Sequence, residues 1–181
     1  MFATIGIFCA GTPSTKGTID LLKKHDVDLN RISQLRYRGL GWPGKLSAVS
    51  GDDNKEAVSM PYMTAWNFVN AYWPFRCYLC PDGTSELADI SCGDPWYRKE
   101  KIDKEGFSLV VVRTKRGKEI IDAAISSGAV VLEKKDPSIL QRSQDNLYNK
   151  RGAIGGRKSV FWCSAIYHHQ HTKVIICLMR G

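Results

Sequence analysis

Residues 107–128 constrain the fold more than any other stretch of the chain. The sequence predicts a strand over 107–113, with Leu109–Val112 as a continuous apolar centre. Thr114 follows as the cap of a helix whose apolar positions are Ile120, Ile121, Ala124 and Ile125, and Gly128 stops it. The same grammar opens the chain. An apolar strand over 2–9 is broken by Gly11–Thr12–Pro13–Ser14. A helix capped by Ser14 or Thr15 then runs to about residue 25, and a second strand covers 32–37. This succession favours an α/β fold with a mixed, partly parallel sheet flanked by helices.

Between these blocks the pattern changes. Gly39–Leu40–Gly41–Trp42–Pro43–Gly44 is a tight glycine-rich turn. A hairpin follows over 45–50 and 56–60, and Pro61 begins an aromatic-rich helix that ends before Pro74. Residues 75–94 read as a cysteine-bearing loop insertion crossed by one short strand over 87–91. Past 128, the expectation is a strand over 129–133 and a helix over 138–150 opened by Asp136–Pro137. Two further strands are expected over 159–167 and 172–179, with His168, His169 and His171 in an exposed connection rather than a metal tract. The domain reading is a body over 1–151 and a C-terminal tail over 152–181.

Composition narrows the class. With 43% hydrophobic residues and a net charge of +8, the chain is not a disordered one. No run of about 20 apolar residues exists to span a membrane. The residues before the first strand lack a basic leader region, so a cytoplasmic setting with reduced thiols is expected for the six cysteines. Positive charge attracts anions generally: nucleic acid, phosphate-bearing cofactors or acidic redox partners. The basic residues fall in three groups, 98–104, 113–118 and 150–158, and read mainly as solvated faces.

The densest motif is Cys77–Tyr78–Leu79–Cys80–Pro81–Asp82–Gly83, followed by Ala88–Asp89–Ile90–Ser91–Cys92–Gly93–Asp94. Three cysteines within 16 residues, with Cys9 at the end of the first strand, make four candidate thiolates. Four thiolates suit a [4Fe–4S] cluster and equally suit zinc, and spacing does not separate the two. Cys163 and Cys177 lie in apolar stretches and read as buried free thiols.

This motif resembles that of the coenzyme F420 hydrogenase/dehydrogenase beta subunit family, in its C-terminal domain. The resemblance rests on Cys77, Cys80, Asp82, Ala88–Ser91, Gly93 and Asp94. The Arg113–Thr114–Lys115–Arg116–Gly117 step and the Arg36–Gly44 segment support it. Near Cys9 the match is looser, since Phe8 stands where the family has proline. The resemblance covers about residues 2–150. It implies an iron–sulfur flavoprotein oxidoreductase that passes electrons between a [4Fe–4S] cluster, FAD and coenzyme F420 or another small acceptor, with a redox partner protein or ferredoxin-like chain. It implies metal ligation by Cys77 and Cys80, completed by Cys9; Cys92 stands at a position that varies in the family and is either a further ligand or a passive core thiol. Cofactor binding falls to Arg36, Arg38 and Trp42 at the turn, and to Arg113, Thr114, Lys115 and Gly117 at a helix N-terminus, where free N–H groups and the dipole attract phosphate. Relative to the family the N-terminal region is short, so a catalytically incomplete member is a second expectation. A third, a zinc-stabilised nucleic-acid module, is disfavoured because a second half-site is missing and the basic residues form no single stripe.

Overall fold

The computed structural model describes residues 3–51, 53–98, 106–159 and 175–180, with 157–159 and 175–180 described by backbone alone. The chain divides into two compact units. One comprises 1–10, 79–101 and 107–181, and the other comprises 11–78 and 102–106.

The first unit is built on a five-stranded sheet in the order β1-β5-β6-β8-β7. Its strands are β1 (Ile5–Ile7), β5 (Ile90–Gly93), β6 (Phe107–Val112), β7 (Leu132–Lys135) and β8 (Ile175–Arg180). β1 runs parallel to β5, in the register Ile5 opposite Ile90 and Ile7 opposite Cys92. The other pairings are antiparallel. The apolar centre of β6 explains itself here, because successive side chains leave a strand on opposite faces. Val110 and Val112 join Ile90 on one face, against Ile121 of α4 (Lys115–Ser126). Leu109 and Val111 point the other way, against Leu140 of α5 (Ser138–Ser143) and against Phe8. Covered on both faces, Leu109–Val112 is a continuous apolar run rather than an alternating one.

The second unit holds an antiparallel sheet in the order β2-β3-β4, made of β2 (Ile32–Arg36), β3 (Lys45–Ser50) and β4 (Glu56–Pro61). Helices α1 (Thr15–Lys24) and α2 (Tyr62–Val69) cover one face, with Leu21, Leu46, Met60, Ala65 and Val69 as the core. Ser14 is the N-cap of α1, and Lys23 and Lys24 in its last turn suit the negative end of the dipole.

The mixed sheet and flanking helices agree with the fold class read from the sequence, while several elements differ from it. β1 and β2, read from the sequence as one strand–turn–helix–strand succession, belong to different sheets. Residues 75–94 are a loop crossed by one short strand, with two differences: a short helix, α3 (Phe75–Leu79), opens them, and the strand sits at Ile90–Gly93 rather than 87–91. β7 lies at Leu132–Lys135, later than 129–133, because backbone bonds from Ala129 and Val130 close the end of α4 first. The helix expected over 138–150 is two helices, α5 and α6 (Asp145–Gly152), separated at Gln144, where φ is −129°. That side chain is buried and donates from Nε2 to the Asp94 carbonyl at 2.7 Å. A last helix, α7 (Ile154–Ser159), ends on the first residue of the strand expected over 159–167. The rest of that strand, Cys163 and the three histidines lie outside the described residues. Within the expected tail, β8 takes the place between β6 and β7.

Candidate functional site

The loop from Cys80 to Asp89 is the chemical centre of the first unit. Asp82 shapes it, since its Oδ1 accepts from the Glu86 amide at 2.9 Å. The loop is sewn to the end of β1: the Cys9 amide donates to the Gly83 carbonyl at 2.8 Å, and the Ser85 hydroxyl donates to the Ile7 carbonyl at 2.7 Å. Gly6 must be glycine here, because a Cβ would lie 2.3 Å from Ser85 Cβ.

Arg113, at the end of β6, reaches into this loop. Its Nη2 donates to the Thr84 carbonyl at 3.0 Å, the Thr84 hydroxyl at 3.2 Å and the Ser91 hydroxyl at 3.3 Å. Its Nε is buried with no hydrogen-bond partner among the described residues. Burial pulls the guanidinium below the ordinary arginine value, and the Glu86 and Asp82 carboxylates oppose that shift. It stays charged, as arginine does in proteins.

Thr114, Gly117, Asp89 and Thr4 form a closed network. Thr114 Oγ1 accepts from the Gly117 amide at 3.0 Å, which caps α4, and donates to Asp89 Oδ1 at 2.5 Å. Asp89 Oδ2 accepts from the Thr4 amide at 2.8 Å and the Thr4 hydroxyl at 3.0 Å. These bonds, the Thr114 hydroxyl foremost, hold Asp89 below the usual aspartate range. A carboxylate thus already stands at the positive end of α4, with Lys115 and Arg116 exposed beside it. Gly117 lets helix and strand meet, since a Cβ would lie 2.4 Å from the Asp89 carbonyl oxygen.

The expected thiolates are distributed. Cys9 follows β1, and Cys92 lies in β5 opposite Ile7 and Val110. Burial pushes the Cys92 thiol up from its ordinary value, which favours the neutral form. Cys80 is exposed, with Sγ 3.6 Å from the Asp82 carbonyl. Cys77 is buried on α3 in the second unit, where its Sγ accepts from the Thr12 amide at 3.5 Å. Among the described residues no group of three or more His, Cys, Asp or Glu side chains stands together as a metal cage.

The second unit carries the glycine-rich turn. Gly39, Leu40, Gly41 and Gly44 all have positive φ, and the Trp42–Pro43 bond is cis. Gly44 is obligatory, since a Cβ would lie 2.6 Å from both the nitrogen and the oxygen of Gly39. Arg38 braces the turn: its Nε donates to the Pro43 carbonyl at 3.1 Å and its guanidinium lies 4.8 Å from the Tyr62 ring centroid. The stem of Arg36 packs beside Gly39. Trp42 is buried, whereas Leu40 at the tip is 84% exposed. Of the cofactor-binding candidates, the structure groups Arg113, Thr114, Lys115 and Gly117 in the first unit, and Arg36, Arg38 and Trp42 in the second. Thr84 and Glu86 have no role in the sequence reading, and Ser91 enters it only as a motif residue. Their only local signal is adjacency to the cysteine motif, and Arg113, which bonds Thr84 and Ser91, comes from 22 to 29 residues away.

A family model describing the C terminus of the coenzyme F420 hydrogenase/dehydrogenase beta subunit matches residues 1–138. The chain is also similar to the "Coenzyme F420-dependent sulfite reductase" of Methanocaldococcus jannaschii, at 25% identity over 129 residues. That match covers 71% of this chain and 18% of the relative, so the chain spans less than a fifth of the relative's length. The family match extends over well more than half of the chain, and the chain belongs to this family of C-terminal domains of the coenzyme F420 hydrogenase/dehydrogenase beta subunit.

Proposed function

We propose that this family member is an oxidoreductase domain that binds a flavin of the FAD type and exchanges electrons with coenzyme F420 or a similar small acceptor, together with a redox partner chain. The family match over 1–138 carries the reading. The printed activity of the Methanocaldococcus jannaschii relative supports the F420 link. A net charge of +8 suits phosphate-bearing cofactors and acidic redox partners.

In this proposal FAD, when bound, supplies the conversion between single-electron and hydride chemistry. The chain binds and orients it. Arg36 offers positive charge beside a turn whose glycines permit close backbone approach, and Arg38 keeps that turn rigid. Trp42, being buried, supports the turn from beneath. At α4, Lys115 and Arg116 are the exposed cations that a phosphate would meet, while Arg113, Thr114 and Gly117 hold the helix in place. No side chain is assigned as a general acid or base. The [4Fe–4S] cluster is the finer form of the reading, with Cys9, Cys77, Cys80 and Cys92 as its thiolates.

Anaerobic purification followed by titration with FAD and with F420, each monitored by fluorescence, tests the reading. Saturable binding of both, and hydride transfer between F420 and the flavin-loaded protein with its partner present, are expected. Failure to bind either ligand would overturn it. Iron, sulfide and zinc analysis on the same preparation decides the finer form: about four irons per chain, lost in Cys77→Ser, is the result that sustains it. One zinc without sulfide, joined to nucleic-acid affinity that falls steeply with salt, would point to a binding module.

A further inference from the structure

Residues 145–152 lie beyond the stretch matched by the family model, yet they touch the thiol loop and the strand end beside it at three points. Lys150 Nζ donates to the Ala10 carbonyl at 2.7 Å, one residue past Cys9. Arg151 Nη1 pairs with Glu86 Oε1, within the loop that begins at Cys80. The buried side chain of Leu147 packs against Gly83, where an added Cβ would meet Leu147 Cβ at 3.2 Å. Gly83 also takes the Cys9 amide on its carbonyl, so one residue is held by the helix below it and the strand end beside it. The sequence reads Lys150 and Arg151 as part of a solvated basic face. Their placement shows two long side chains bonded to a loop and to a strand end, beside a helix that also makes an apolar contact with that loop.

We propose that α6 is a clasp that positions the Cys9 and Cys80 loop, with Lys150 and Arg151 as its positioning residues and Leu147 as its apolar seat. An exposed ion pair alone would contribute little. A charged donor on a partly buried carbonyl contributes more, because removing it leaves that carbonyl without its partner. The three contacts act on residues linked by the hydrogen bond between Cys9 and Gly83, so their loss is felt at both thiols together. The arrangement makes α6 and residues 80–87 one opening unit. The inference rests on the proposed redox role of this loop for its consequence. Its test is read on the backbone and the thiols themselves, so it fails or stands apart from cofactor binding.

Hydrogen exchange with peptide-level mass spectrometry on the full wild-type chain is the first measurement. Residues 80–87 and the peptide around Cys9 are expected to lose protection with the same midpoint in denaturant as 145–152. A loop that keeps its protection while α6 opens would overturn the clasp. The second measurement uses Lys150→Met and Arg151→Met, with alkylation by iodoacetamide mapped to each cysteine. Labelling of Cys9 is expected to rise about tenfold in Lys150→Met, with Cys77 unchanged and with recovery in Lys150→Arg. Unchanged labelling at Cys9 and Cys80 would overturn the proposal. So would an equal rise at Cys9, Cys77, Cys80 and Cys92, which would mean general loosening.

Discussion

Asp89 shows how much a single side chain organises. It ties the start of β1, through Thr4, to the start of α4, through Thr114. Its native pKa is held below its ordinary value, so its ionised form favours folding above the usual aspartate range. That contribution is lost as pH falls through the lowered native value. Asp89→Asn is therefore expected to lower the urea midpoint at neutral pH and to flatten its decline on acidification. A curve parallel to wild type at all pH values would refute this assignment. Gly117 makes a sharper prediction. Gly117→Ala drives a methyl group to within 2.4 Å of a backbone oxygen, which no rotamer change relieves. A loss of about 1–3 kcal/mol in denaturant-derived stability is expected. Thr114 and Gly117 are visible in the sequence as a cap and a small residue after it. The reason Gly117 has to be glycine is not visible there, because the atom it would strike belongs to Asp89, 28 residues earlier at the end of the loop before β5.

At the scale of elements, local signals succeed where the cause is local. The caps of α1 and α4 and the stop at Gly128, with φ +73°, follow from backbone chemistry within a few residues. The hairpin β3–β4 is similarly self-contained. The break between α5 and α6 is different. Nothing between 138 and 150 is a proline or a glycine, and Gln144 leaves helical geometry where its amide meets the Asp94 carbonyl, 50 residues away. The glycine-rich turn offers a test at this scale. Gly44→Ala places a side chain at φ +81° and against Gly39 at once. Weaker binding of FAD or F420 is expected if the turn serves the cofactor, with thermal stability also lowered. Leu40→Ala, at an exposed tip, is expected to leave stability within about 0.5 kcal/mol, checked by chemical denaturation.

At the scale of the molecule, the position of β8 decides what the C-terminal region is. Its backbone pairs with β6 on one side and β7 on the other. Deleting residues 175–181 is expected to leave two unpaired strand edges, and hence aggregation or loss of cooperative unfolding, measured by size-exclusion chromatography and circular dichroism. A monodisperse, cooperatively unfolding deletion variant would contradict the strand order. No helix among the described residues is long and apolar enough to cross a membrane. The sequence by itself determined the strand and helix grammar, the doubly apolar run of β6, the helix caps, and the cysteine and Ala88–Asp94 motifs that carry the family likeness. Each is written in neighbouring residues, where period and turn chemistry act over one or two turns of chain. Only the tertiary structure decided that β1 and β2 part into different sheets, that β8 enters between β6 and β7, and that α6 closes over the thiol loop. Those outcomes depend on pairings and contacts between residues tens of positions apart, and the free energy that selects among them is absent from any local window.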